Sequence, residues 1–129
     1  NKNKNSQLYE KINDDYKLLY ELLPGSRHTA IYVEDNILYI VYSIVGEAPE
    51  RLYICKIIDW EIVSNYELAR PNLTWEGVKQ PLIPSRYGMA LGFNNELRDP
   101  YIYSENNELY LLYSYGGESG ISLGKLKKN

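Results

Sequence analysis

The 129-residue chain carries one histidine, His28, and one cysteine, Cys55. A lone histidine cannot build a two-histidine zinc site, and a lone cysteine excludes an internal disulfide framework and a multi-cysteine metal site. No phosphate-cradling glycine loop or dinucleotide fingerprint occurs, so neither a metal nor a cofactor is expected. The chemistry left to the sequence is that of carboxylates, arginines and aromatic rings. Arg27, Arg86 and Arg98 can grip a carboxylated or phosphorylated sugar bidentately, or can neutralise neighbouring carboxylates. Trp75, Tyr87 and Phe93 lie in one loop and can stack on sugar rings through their apolar faces. The competing reading is that they cover sheet edges. Fourteen tyrosines against one phenylalanine pose the same alternative for the whole chain.

The charge balance narrows the classes of partner. Seventeen acidic residues against fourteen basic ones leave a net charge of −3, which argues against a basic face for nucleic acid. No apolar run approaches the roughly 18 residues that span a bilayer, so no membrane partner is expected. The start, NKNKNSQ, has no apolar signal core. With a single cysteine, this slightly favours a cytoplasmic location and otherwise leaves the compartment open.

These residues are placed by an internal repeat. Residues 27–47 read RHTAIYVEDNILYIVYSIVGE and residues 98–118 read RDPYIYSENNELYLLYSYGGE. Arg98 repeats Arg27, Ile102 repeats Ile31, and Tyr103, Tyr110 and Tyr113 repeat Tyr32, Tyr39 and Tyr42. Ser114, Gly117 and Glu118 repeat Ser43, Gly46 and Glu47. LYICKI (52–57) then parallels ISLGKL (121–126), with two residues dropped from the second copy. Such self-similarity marks a repeat architecture.

Each copy predicts three antiparallel strands. Short β-rich segments near 29–33 and 100–103 run into turns at 34–36 and 105–107, where Asn and Asp tolerate positive φ. The runs 38–44 and 109–115 are nearly all apolar or Tyr, as in strands buried on both faces. The third strands lie near 51–57 and 120–126, and 62–69 forms a fourth for the first copy. Tyr20-Glu21-Leu22 resembles Tyr66-Glu67-Leu68, so 17–23 reads as a strand. Its rival is a helix, since Leu8, Ile12, Tyr16, Leu19 and Leu23 share helical spacing. The fold class is therefore all-β, with two blade-like sheets of four antiparallel strands, as in a β-propeller. The divisions are a tail (1–16), a stray outer strand (17–26), a first blade (27–70), a long loop (71–97) and a second blade (98–129). The stray strand is expected to complete the second blade, from the same chain or another copy.

The segment PSRYGMALGFNNELRDPYIYSENNELYLLYSYGGESGISLGKL (84–126) resembles the C-terminal end of five-bladed β-propeller proteins related to glycoside hydrolase family 43. The first copy, with Gly46-Glu47-Ala48-Pro49-Glu50-Arg51, looks like the preceding blade. The resemblance covers about residues 17–127. It implies a partial five-bladed propeller and a sugar-related ancestry, and the blade that usually supplies the catalytic base has no counterpart here.

The resemblance also assigns roles. Asp99, in Arg98-Asp99-Pro100, corresponds to an axis-facing carboxylate that catalyses or tunes a partner's pKa. The plain alternative is a strand cap paired with an arginine. Glu76, in Trp75-Glu76-Gly77, is similar to the Glu-Gly pair that carries the family's general acid, although the residues after it depart from that pattern. Glycoside cleavage needs two such groups, about 6.5–9.5 Å apart when water attacks directly. His28 stands where Asp99 stands in the other copy, and can meet a sugar hydroxyl or hold an axial ion or water. Arg27, Arg86, Arg98, Glu118, Trp75 and Tyr87 complete the expected sugar-binding set, while the recurrence of Glu47 and Glu118 points equally to a structural task. The expectation is a truncated glycoside hydrolase-like protein that is not catalytic alone. The alternative is a non-catalytic carbohydrate-binding or assembly module. Its expected partners are a carbohydrate and either further copies of itself or blades from a longer chain.

Overall fold

Nine strands in three antiparallel sheets make up the computed structural model, which describes residues 5–128. β1 (Ser6–Ile12) and β2 (Asp15–Leu22) form a hairpin. The second sheet runs in chain order through β3 (Ser26–Glu34), β4 (Ile37–Ile44), β5 (Leu52–Ile58) and β6 (Glu61–Ala69). The third holds β7 (Phe93–Glu105), β8 (Glu108–Gly117) and β9 (Gly120–Leu126). A 3-10 turn, Thr74–Glu76, interrupts the loop between the second and third sheets.

The strand reading of 17–23 holds over the helix, because the segment pairs along β1 in register from Ser6↔Leu22 to Ile12↔Asp15. Two expectations need correction. The stretch 1–16 is not simply a tail, since β1 occupies Ser6–Ile12; residues 1–4 of that tail lie outside the described residues. Within one chain the stray strand does not complete the last sheet either. β2 pairs with β1, and β9 has one strand partner, β8, among the described residues. The physical reason is proximity: 6–12 offers β2 an antiparallel partner across a short turn at Asn13, whose φ is 56°. The last sheet also begins earlier than 98, because β7 extends back to Phe93.

The turns behave as their side chains require. Asp35 and Asn36, at φ 51° and 61°, match Asn106 and Asn107 at 50° and 61°. Two successive positive φ values give the tight hairpin turn whose twist suits antiparallel strands, and Asn and Asp enter that region most readily.

Hydrophobic alternation along β4 explains how the sheets stack. Ile40 and Tyr42 join Leu23, Cys55 and Ile57 in a core on the side of the β1–β2 hairpin. Val41 points the other way and packs with Ala30, Leu52, Leu97 and Leu111 against the third sheet. β4 is thus covered on both faces, as its continuous apolar run requires, whereas Ile31 and Val33 of β3 stay exposed on the hairpin side. The tyrosines repeat with it. Tyr32 faces Tyr39 across β3–β4 with ring centroids 6.3 Å apart and planes at 34°, and Tyr103 faces Tyr110 across β7–β8 at 6.3 Å and 35°. Most of the tyrosine excess is sheet architecture.

The third sheet has an uncovered outer face. Leu52 is 0% exposed, whereas Ile121, its counterpart in the repeat, is 75% exposed. Leu52→Ala should therefore cost about 2–5 kcal/mol in chemical unfolding, and Ile121→Ala about 0.5 kcal/mol or less.

Candidate functional site

The start of β3 and the repeat-related middle of β7 lie side by side, and each carries a bulge. Pairing with the next strand slips between Arg27 and Ala30 in one and between Arg98 and Tyr101 in the other. The residue inside each bulge has left-handed backbone: His28 at φ 51° and Asp99 at φ 48°. A bulge re-aims consecutive side chains. Here each Arg turns into the space between sheets; of the residues that follow, Asp99 is exposed and His28 is partly buried, with its Nδ1 shielded from solvent.

The buried half of this arrangement centres on Glu50, whose side chain is fully enclosed. Arg27 grips it with a fork, Nε to Oε1 at 2.9 Å and Nη2 to Oε2 at 2.5 Å. Ser43 Oγ donates to Oε1 at 2.7 Å. Arg98 Nε approaches Oε2 to 3.3 Å, so the two repeated arginines share one carboxylate. Arg98 also meets Glu96 at 2.7 Å and Glu118 at 3.3 Å, and donates to the Gly88 carbonyl at 3.1 Å. Burial on its own would raise the Glu50 pKa, but the hydrogen bonds from Arg27 and Ser43 outweigh it and hold the carboxyl below its usual range. For Glu96 burial prevails, and its carboxyl is pushed up despite Arg98. Arg27 Nη1 further donates to the Arg86 carbonyl at 3.1 Å, tying the long loop to the network through backbone rather than through the Arg86 side chain.

The surface half consists of His28 and Asp99. His28 Nδ1 lies 3.4 Å from Asp99 Oδ1, without the alignment of a hydrogen bond. Ser114 Oγ donates to Asp99 Oδ2 at 2.9 Å. Burial lowers the His28 pKa, with the Arg27 charge adding to it and Asp99 opposing. A neutral imidazole beside a carboxyl group offers acceptors and one ring N–H, which suits hydroxyl groups.

Glu76 is not part of this group. Its Oε2 accepts the backbone N–H groups of Asn72 and Leu73 at 2.8 and 2.9 Å, and its Oε1 accepts from Tyr113 at 2.9 Å. Tyr113 and Ser114 are consecutive on β8, so Glu76 and Asp99 contact side chains on opposite faces of that strand. The two carboxylates therefore do not flank a common point, and Glu76 serves as the clamp of the 3-10 turn. The next residue, Gly77, has φ 99°, and a Cβ there would meet the Asn94 carbonyl oxygen at 2.1 Å. Only glycine lets the loop cross β7 that closely.

The remaining expected residues divide in the same way. Trp75 stacks edge-on against Tyr115 with centroids 5.1 Å apart, which covers the sheet. Tyr87 and the Arg86 side chain are exposed on the loop. Glu118 partners Arg98 at the rim of the network, while its repeat counterpart Glu47 pairs with Arg51 at 3.2 Å and accepts from Tyr53 at 2.6 Å. Beside Arg98, Arg86, Asn94, Asn95 and Glu96 line the polar wall of a cleft of about 340 Å³. Sequence reasoning overlooked Glu50 and Glu96. One signal for Glu50 was available: it falls in the stretch between Glu47 and Leu52 that is two residues longer than its counterpart in the second copy.

Comparison with known proteins adds one relative. No family model matches the chain, and no solved structure matches it. It is similar to "Uncharacterized protein R118" of Acanthamoeba polyphaga mimivirus, with 34% identity over 109 residues. The matched region is 79% of this chain and 31% of that protein, so the chain spans about a third of the length of the curated relative it matches.

Two measurements test this geometry. Glu50→Gln removes the carboxylate partner of Arg27 and one of three carboxylates around Arg98, and should cost about 3–5 kcal/mol in urea unfolding, as losing one partner of a buried ion pair does. For His28, the folded protein binds fewer protons than the unfolded chain between the lowered pKa and the ordinary 6.5. Its contribution is full above 6.5 and lost as the pH falls through that window. Urea midpoints of the wild type should fall there, and His28→Gln should flatten that part of the profile.

Proposed function

We propose that this chain is part of a glycoside hydrolase-like five-bladed propeller, that its role is sugar-related, and that it is not catalytic alone. The observation that carries the reading is the meeting of His28 and Asp99. Repeat-equivalent positions of successive sheets approach to 3.4 Å at their bulges, as expected where such a propeller gathers its polar residues. Inactivity in isolation follows from the carboxylates. Asp99 is exposed, but Glu50 and Glu96 are buried on arginines and Glu76 is committed to the loop. A glycosidase needs a second carboxyl group across the scissile bond.

The second reading, a non-catalytic carbohydrate-binding or assembly module, is favoured by the uncovered face of the third sheet. Ile121 and Leu123 lie there in the open, and a contiguous apolar face of this kind marks an interaction surface.

A panel of nitrophenyl glycosides should show no turnover with the isolated chain. Methyl glycosides should produce saturable shifts at the His28 and Asp99 amides in NMR titrations, weakened by about tenfold or more in Asp99→Asn. Hydrolysis abolished by Asp99→Asn would replace this reading with that of an intact enzyme. Absence of saturable binding by any glycoside would leave the assembly reading.

A further inference from the structure

The first sheet has two strands where the second has four, and the repeat shows what its position lacks. β1 and β2 stand to the second sheet as β5 and β6 stand to the third. The groove beside β1 and β2 is lined by Ile31, Leu38 and Ile57. The groove beside β5 and β6 is lined by Ile102, Leu109 and Leu126, the same three positions one copy later. The second groove has two further walls, Tyr32 and Tyr39, supplied by the β3–β4 hairpin. Among the described residues the first groove has no such hairpin over it. The consequence is visible in the side chains. Ile102 is half-buried against the core between sheets, whereas Ile31 is 53% exposed and Val33 63% exposed. β1 also pairs on one side only among the described residues, whereas β5 has β4 on one edge and β6 on the other.

We propose that the free edge of β1 and the groove beside it receive a β-hairpin chemically like β3–β4. Its second strand pairs antiparallel with β1, as β4 pairs with β5. One face presents small, β-branched and tyrosine side chains to Ile31 and Val33, as Ala30, Val41, Tyr32 and Tyr39 do towards the third sheet. This is strand addition to an open edge, in which backbone hydrogen bonds supply affinity and alternate side chains supply selection. The occupant is not a second folded copy of this chain, because the β3–β4 pair of any copy is already held between its own neighbouring sheets. The inference rests on the repeat and is independent of any sugar-related role.

The test uses the full chain and a synthetic peptide of residues 26–44 as the hairpin probe. Binding should be saturable and should protect the β1 amides from hydrogen exchange. Ile31→Asp and Val33→Asp, each at an exposed position, should each weaken binding by about tenfold or more. Ile121→Asp, on the far face, should leave it unchanged. Changing Tyr39 and Val41 to Ser within the peptide should abolish binding. The proposal is overturned if the peptide leaves β1 exchange unaltered or if Ile121→Asp weakens binding as much as Ile31→Asp. It is also overturned if light scattering shows a dimer without peptide whose β1 amides are already protected.

Discussion

A single buried carboxylate holds the second and third sheets in register. Glu50 accepts a fork from Arg27 of β3, a hydroxyl from Ser43 of β4 and the approach of Arg98 from β7. Its backbone carbonyl accepts from the Leu97 N–H at 3.0 Å, so main chain and side chain tie the same two sheets. Apolar packing such as Leu52 on Leu97 supplies most of the attraction between the sheets, but it is non-directional. The charge network adds direction. Two arginines that repeat in the sequence can share one glutamate only where the bulges of their strands come together. His28 and Asp99 are neighbours because of that requirement, and not through any strong attraction of their own.

Much of the fold was legible from patterns that depend on short-range rules. The Asp35-Asn36 and Asn106-Asn107 turns follow from the tolerance of these side chains for left-handed backbone. The run Leu38–Ile44 announced a strand with no solvent face, and Val41 and Tyr42 indeed serve two different cores. What the pattern concealed was pairing. Leu8 and Ile12 carry helix-like spacing on what is a strand, and nothing local says that β2 takes β1 as its partner in preference to a distant edge.

The site was legible in part. The repeat marked Arg27, His28, Arg98 and Asp99 as equivalent positions, and the structure brings all four to one place. Glu76 was misleading because its neighbours in sequence suggested chemistry, whereas its oxygens are claimed by two backbone N–H groups and Tyr113. Local sequence cannot reveal that claim, since Tyr113 lies far along the chain. Glu50 was hidden for the opposite reason. Its importance comes from two arginines that reach it from other strands, and its own surroundings of Glu47, Ala48 and Pro49 read as a loop.

The stacking of the three sheets also governs how the molecule comes apart. Among the described residues the two buried cores lie on either face of the middle sheet, so stability accumulates along the stack as in a linear array of units. The middle sheet has cores on both faces and the Glu50 tie, whereas the β1–β2 hairpin has one core and no buried ion pair joining it to β3 among the described residues. Opening therefore begins at the hairpin end and travels inward, and the surface carrying His28 and Asp99 lies on the far side of the most resistant step. A protein built this way can fray at one end while its polar site remains assembled.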